Sequence, residues 1–400
     1  MSQARQFGKR SALQFVLLFG VVNLFGDVTY EGARSVTGPF LGTLGASALA
    51  VGSVTGFGEF LGYALRLVSG RLADRSRLYW PLTLVGYVIQ MASVPLLALA
   101  GRWPTAAVFI CLERVGRAAR NPPRNVMLAQ AGEQMGLGWA FAIDEGLDQL
   151  GALTGPLAVA ALLAWRHSYA LAFASLSIPA LVTLLLVGSA RFGFPYAGRV
   201  AHGPESEAAA AAAYSSSFWW YCLSTGLVGF GFADYSLIAY HLSRVHVVPG
   251  PWVPIFYALA MGAGGLGSLL AGKLFDKHGL LVLVPVTIVV AAYAPLAFLG
   301  GFAAALAGAL LWGIGLGVHE SVMQAAVARM VPRQRLGSAY GLFGLVFGAA
   351  WFAGSAALGA LYDWSVPAAV MLAATTQLCA VVPLIVAARS LCQEYPCLYR

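Results

Sequence analysis

The chain has 400 residues, 59% of them hydrophobic and only 10% charged, with a formal net charge of +8, whereas soluble domains carry about 25% charge. With a mean hydropathy of +0.76, this composition excludes a soluble protein and predicts an all-α polytopic membrane protein whose first partner is the lipid bilayer. The basic excess reads as a matter of topology, and nucleic acid is not expected as a partner.

Met1 to Arg10 is basic and polar. The apolar run after it is too long for a signal h-region and lacks a clear small-residue cleavage site, so the first helix is expected to stay in the mature protein. Apolar runs bounded by charges or Gly/Pro breaks predict spans over 11–38, 45–69, 79–100, 104–122, 137–164 and 168–190, then 216–240, 253–274, 279–299, 302–328, 337–362 and 365–388. The segment between the sixth and seventh holds Pro195, Gly198, Gly203, Pro204, two glutamates and the alanine run Ala208 to Ala213. It reads as a linker. The expected division is an N-terminal six-helix bundle over 1–190, a cytoplasmic linker over 191–217 and a C-terminal six-helix bundle over 218–400.

Basic residues set the orientation. Loops on the side of the N-terminus carry Arg5, Lys9, Arg10, Arg71, Arg75, Arg77, Arg120, Arg124, Arg191, Arg199, Lys273, Lys277, Arg329, Arg333 and Arg335. The opposite side has only Arg102, Arg166 and Arg244. The positive-inside rule then puts both termini in the cytoplasm, and the chain in a bacterial or archaeal cytoplasmic membrane.

Two repeats tie the halves together. GRLADRSR from Gly70 to Arg77 returns about 200 residues later as GKLFDKHG from Gly272 to Gly279. GWAFAIDEGLDQLGALTGPLA from Gly138 to Ala158 aligns with GSAYGLFGLVFGAAWFAGSAA from Gly337 to Ala357, with Gly155 opposite Gly354. Parallel repeats of this kind build transporters whose substrate site lies between the halves near the membrane midplane.

With these motifs the chain resembles the major facilitator superfamily of secondary transporters. Gly70, Asp74 and Arg75 match its signature after the second span, and Gly272, Asp276 and Lys277 match the weaker second-half copy. Gly151, Gly155 and Pro156 look like the GxxxGP core of the motif typical of its antiporters, and Arg114 sits where the superfamily commonly keeps an embedded arginine. The resemblance implies twelve helices in two pseudo-symmetric bundles. It also implies a cytoplasmic latch at the GxLxD motifs that breaks when the protein opens inward. Physically, Asp74 can face the N-terminal end of a neighbouring helix while Arg71 and Arg75 bridge to other cytoplasmic ends. Gly151 and Gly155 allow close helix approach, and Pro156 removes a backbone donor.

Ionisable groups inside spans are costly unless paired or hydrated, which makes them candidate sites. The first span holds Asp27, Glu31 and Arg34 on one face, the second Glu59, Tyr63 and Arg66, the fourth Glu113, Arg114 and Arg117, and the fifth Asp144, Glu145 and Asp148 beside Gln149. The second half offers Asp234 and the neighbours His319 and Glu320. In the first half, seven acids stand against four arginines, leaving roughly three carboxylates without a cationic partner. A buried carboxylate in that position tends to hold a proton. Glu113 with Arg114, or Glu31 with Arg34, could equally be structural ion pairs. His319 and Glu320 could relay a proton, although adjacent helical side chains diverge. Trp219, Trp220, Tyr221 and Tyr240 are expected at the membrane interface, and Phe25, Tyr30, Phe141, Tyr235 and Trp351 in a central cavity.

Cys111, Cys222, Cys379, Cys392 and Cys397 lack CxxC or zinc spacing, so neither metal nor disulfide is expected. No HExxH, GxSxG or phosphate loop is present, and no cofactor or catalysis is expected. The resulting expectation is a monomeric secondary transporter of a small organic molecule. It would alternate access by rocking its halves and export its substrate against protons. The alternatives are a uniporter or importer of an organic anion held by Arg34, Arg66 or Arg114, or a sensor or scaffold on a transporter fold.

Overall fold

The computed structural model describes residues 8–198, 214–331 and 336–394, and the side chains of Asp74, Leu137, Asp276, Gln324 and Leu336 lie outside that description. The described chain is helical and contains no strand. Its first half comprises α1 (Lys9–Thr43), α2 (Ala48–Ser76), α3 (Tyr79–Leu96), α4 (Trp103–Gly132), α5 (Leu137–Arg166), α6 (Tyr169–Ser175) and α7 (Ser177–Gly193). Its second half comprises α8 (Ser216–Gly231), α9 (Tyr235–Arg244), α10 (Trp252–His278), α11 (Leu283–Val290), α12 (Tyr293–Leu299), α13 (Phe302–Met330), α14 (Leu336–Trp364), α15 (Val366–Cys379) and α16 (Val381–Glu394). The pairs α6/α7, α8/α9, α11/α12 and α15/α16 each form one span, so the chain is a multi-pass membrane protein with six spans in each half.

Eleven described segments are long and apolar enough to cross a membrane, and α4 is not among them. It is long enough, about 45 Å at the helical rise, but it carries Glu113, Arg114, Arg117, Arg120 and Arg124. The sequence predicts its end at 122 because consecutive prolines remove two backbone donors. The helix instead runs through Pro122 and Pro123 to Gly132, as embedded helices do when neighbours and side chains satisfy the freed backbone groups. Arg120 and Arg124, expected in a loop, are therefore helical and buried, at 2% and 7% exposure.

The two GxLxD copies are also helical rather than loops. Gly70 and Arg75 lie in the last turns of α2, and Gly272 and Lys277 in those of α10. Cations there complement the negative end of the helix dipole.

The seventh span breaks at Phe232–Asp234, where the backbone is extended. An open peptide inside a membrane requires partners, and distant side chains provide them. The Tyr293 hydroxyl donates to the Gly231 carbonyl at 2.8 Å and accepts from the Ala233 N–H at 2.7 Å, and Trp312 Nε1 donates to the Ala233 carbonyl at 2.8 Å.

The helices gather into two compact units. One comprises Met1–Gly45, Leu61–Gly203 and Gly250–Ala258, and the other Ala46–Phe60, Pro204–Pro249 and Leu259–Arg400. In the first, α1 packs along α5, and α3 along α4. A Cβ on Gly155 would stand 2.5 Å from the Val28 carbonyl oxygen and 2.9 Å from its Cα, so the two backbones touch only because that residue is glycine. The second unit repeats the device, with Gly354 of α14 against the backbone of Phe230 in α8. This is the symmetry predicted from the aligned repeats.

In the second unit, the Asp363 carboxylate accepts from the N–H groups of Ala48 and Leu49 at 3.1 and 2.9 Å. It thereby covers the positive start of α2.

Candidate functional site

The close α1–α5 contact positions most of the polar residues predicted for the first half. Gly151 lies one turn from Asp148 and would have its Cβ 3.0 Å from the Asp27 Cβ. Without that bulk, the short side chains of Asp27 and Asp148 come close enough to interact. Arg117 is a charge partner of both. Glu31, one turn beyond Asp27, accepts from the Tyr257 hydroxyl and has Arg34 and Arg117 as charge partners.

Tyr30 is the second focus. Its hydroxyl accepts from Arg114 and, at 3.3 Å, from Arg34. The guanidinium carbons of Arg117 and Arg114 stand 4.3 and 4.8 Å from its ring centroid, a cation–π arrangement. Arg114 also pairs with Glu113 at 3.4 Å.

A chain of bonds links the remaining charges. Gln90 donates to Glu113 at 2.8 Å and accepts from Arg120, whose terminal nitrogen reaches the Tyr87 hydroxyl at 3.1 Å. Tyr87 donates to Asn23 at 3.0 Å, and Asn23 donates to Asp144 at 2.8 Å. Asp144 completes the chain by pairing with Arg124. Pairing and hydrogen bonds offset the cost of burying ions: Arg124 pairs with Asp144 and Arg114 with Glu113, while Arg120 is held by the neutral groups of Gln90 and Tyr87.

The predicted residues thus divide. Asp27, Glu31, Arg34, Glu113, Arg114, Asp144 and Asp148 come together, while Glu145 is exposed and bonded to Gln149 at 2.9 Å. Glu59 is half-buried, and Arg66 lies 5.3 Å from the Tyr63 ring. Asp234 caps α9, accepting from the Ser236 N–H at 2.9 Å. His319 is buried and Glu320 exposed on α13. Tyr221 and Tyr240, expected at the interface, are buried instead. Tyr221 stacks on Phe343, and Tyr240 donates to the Ala46 carbonyl at 3.3 Å.

The network also uses Asn23, Tyr87, Gln90, Arg120, Arg124 and Tyr257, which the sequence does not single out as site residues. For the arginines there is a signal: Glu113, Arg117, Arg120 and Arg124 fall at three- and four-residue intervals, one stripe of a helix that outlasts its prolines. They also change the charge count. With Arg120 and Arg124 added to the four arginines counted from the sequence, six stand against the seven candidate acids named above.

Comparison with known proteins agrees with this architecture. The model of the Major Facilitator Superfamily matches residues 24–355 and again 259–390. An uncharacterized protein of Mycobacterium tuberculosis (strain ATCC 25618 / H37Rv) is 40% identical over 93% of this chain and 92% of its own. An uncharacterized MFS-type transporter of Methanocaldococcus jannaschii is 28% identical over 35% of each chain. Among solved structures, a peptide transporter POT superposes with a TM-score of 0.74 at 14% identity, covering 94% of this chain and 95% of that one. A bacterial homolog of the human lysosomal transporter Spinster, inward-facing and occupied, gives 0.66 at 17% identity, covering 95% and 96%. Identities this low speak for the fold, and the sequence match speaks for kinship: the chain belongs to the Major Facilitator Superfamily.

Proposed function

We propose that the protein is a proton-coupled secondary transporter of a small organic molecule, alternating access by rocking its halves and working as an exporter. The observation that carries the coupling is the contact between Asp27 and Asp148. Two carboxyl groups side by side repel when both are ionised, and a proton held by one lets it donate to the other. Releasing the proton would leave two adjacent carboxylates that repel, favouring a state in which α1 and α5 are differently packed. The export direction rests on the GxxxGP motif at Gly151, Gly155 and Pro156.

A second reading has its own support. Arg34, Arg114 and Arg117 converge on Tyr30, a cationic group suited to an organic anion carried by uniport or import.

The two are separated in sealed vesicles. A panel of organic compounds is first screened for protection against thermal unfolding in detergent, since a ligand of the native state raises apparent stability. Adding a protecting compound to vesicles that hold a pH gradient should dissipate the gradient if movement is coupled to protons. An unchanged gradient during measured uptake would favour the uniporter.

A further inference from the structure

Pro122 has no N–H to donate, and in a continuous helix the carbonyl left without that partner belongs to the residue four before it, Ala118. Ala118 is fully buried, so solvent does not serve its oxygen. A side chain from another helix does. Ser69 Oγ of α2 donates to the Ala118 carbonyl at 2.7 Å, and Ser69 is itself buried. The same hydroxyl lies 3.3 Å from the Arg66 carbonyl of its own helix, but it has one hydrogen, and the shorter contact takes it.

The bond falls at a place that matters to the arginines of α4. A proline ring presses on the carbonyl four residues before it and opens the helix there, so the direction in which α4 leaves the prolines depends on what holds the opened turn. That turn, Ala118 to Pro122, contains Arg120 and leads directly to Arg124. Arg120 bonds to Gln90 and Tyr87, and Arg124 pairs with Asp144. Just before the turn, α3 already fixes the helix: a Cβ on Gly116 would stand 2.5 Å from the Gln90 backbone nitrogen. At the turn itself the support comes from α2. Gly70, the first residue of the GxLxD motif, follows Ser69 directly, and a Cβ there would meet the Pro122 Cβ at 3.6 Å.

We propose that Ser69 is a positioning residue for the arginine stripe. By replacing the hydrogen bond that Pro122 removes, it holds the last turns of α4 in the direction that brings Arg124 to Asp144. Ser69 acts through the α4 backbone, one residue before the motif, and so ties the end of α2 that carries GxLxD to the buried charges. The consequence for flux rests on the transport reading above, whereas the positioning does not.

The test therefore uses no substrate. Hydrogen–deuterium exchange is followed by mass spectrometry on the full chain in lipid nanodiscs. In Ser69→Ala the amides from Arg124 to Ala131 should exchange roughly tenfold faster, as expected when a buried carbonyl loses its donor, while peptides of α13 keep the wild-type rate. Ser69→Thr keeps the hydroxyl and should match the wild type. Pro122→Ala returns an N–H to the Ala118 carbonyl, so Ser69→Ala should be silent in that background. A second cycle separates positioning from packing. If Ser69 acts on Arg124, the losses in thermal unfolding midpoint from Ser69→Ala and Arg124→Met overlap, and the double variant loses less than their sum. Unchanged exchange in Ser69→Ala, a change that Pro122→Ala does not cancel, or strictly additive losses would overturn the proposal. If Ser69→Ala alone does not fold, the Pro122→Ala background carries the test, and a failure to fold there as well would also overturn it. These readouts report local order and stability, so absence of proton-coupled flux would sink the transport reading and leave the positioning role standing.

Discussion

The carboxyl groups of Asp27 of α1 and Asp148 of α5 lie close enough to interact, at a place where glycine has removed the bulk between the two helices. The order of causes is readable. Gly151 and Gly155 let the backbones meet, and the meeting brings two short acids together. The packing motif and the candidate coupling site are one feature.

Gly155→Ala therefore tests more than packing. Its new Cβ meets the Val28 backbone, which cannot rotate away as a side chain would. Overpacking of this sort costs about 1–3 kcal/mol, so the thermal unfolding midpoint in detergent should fall. Transport should fall further than stability, because Asp27 and Asp148 are pushed apart. A variant with normal flux would show that the close approach is dispensable.

The Arg124–Asp144 pair should behave as a buried ion pair. Removing one partner strands the other, at a cost of about 3–5 kcal/mol. Arg124→Met is expected to lower thermal stability strongly, and the double variant Arg124→Met, Asp144→Leu to recover much of it. If the double variant is as unstable as the single, the pair's hydrogen bonds to the Asn23 chain matter more than its charge balance.

Asp363 accepts from the first two N–H groups of α2. Asp363→Ala should cost about 0.5–2 kcal/mol, the usual range for a lost cap. Asp363→Asn should recover part of that, since the amide oxygen still accepts. Thermal unfolding of the three proteins side by side checks the order.

The twelve-span plan, the six-plus-six symmetry and the α1–α5 glycines were legible because each is a local pattern of apolar runs or small residues. The parts that were not legible depend on partners far away in sequence. The break at Phe232–Asp234 holds because Tyr293 and Trp312 satisfy it, and nothing near residue 232 announces them. Pro122 and Pro123 read as a helix end, although the buried arginine stripe continues past them. Tyr257 reaches Glu31 from α10, in the other half of the chain, and no spacing within either half connects the two.

The repeated GxLxD motif yields a prediction from sequence alone, since the side chains of Asp74 and Asp276 are not among those described. Asp74→Asn should impair transport while leaving insertion and folding largely intact, and shift the population toward the inward-open state. Asp276→Asn, in the degenerate copy, should matter less. Equal transport in both variants and the wild type, with unchanged cysteine accessibility from the cytoplasm, would refute the latch.

The most direct test of the central claim compares gradient-driven flux with counterflow in proteoliposomes, using a compound identified by thermal protection, for Asp27→Asn, Asp148→Asn and the double variant. A permanently neutral amide resembles the protonated carboxyl, so the helices can still rock with substrate bound but can no longer release a proton. Loss of proton-driven accumulation with retained counterflow, in at least one of the single variants and in the double, is the predicted result. Full gradient-driven accumulation in all three would contradict the account, and the coupled proton would have to be sought elsewhere, with His319 and Glu320 the next place to look.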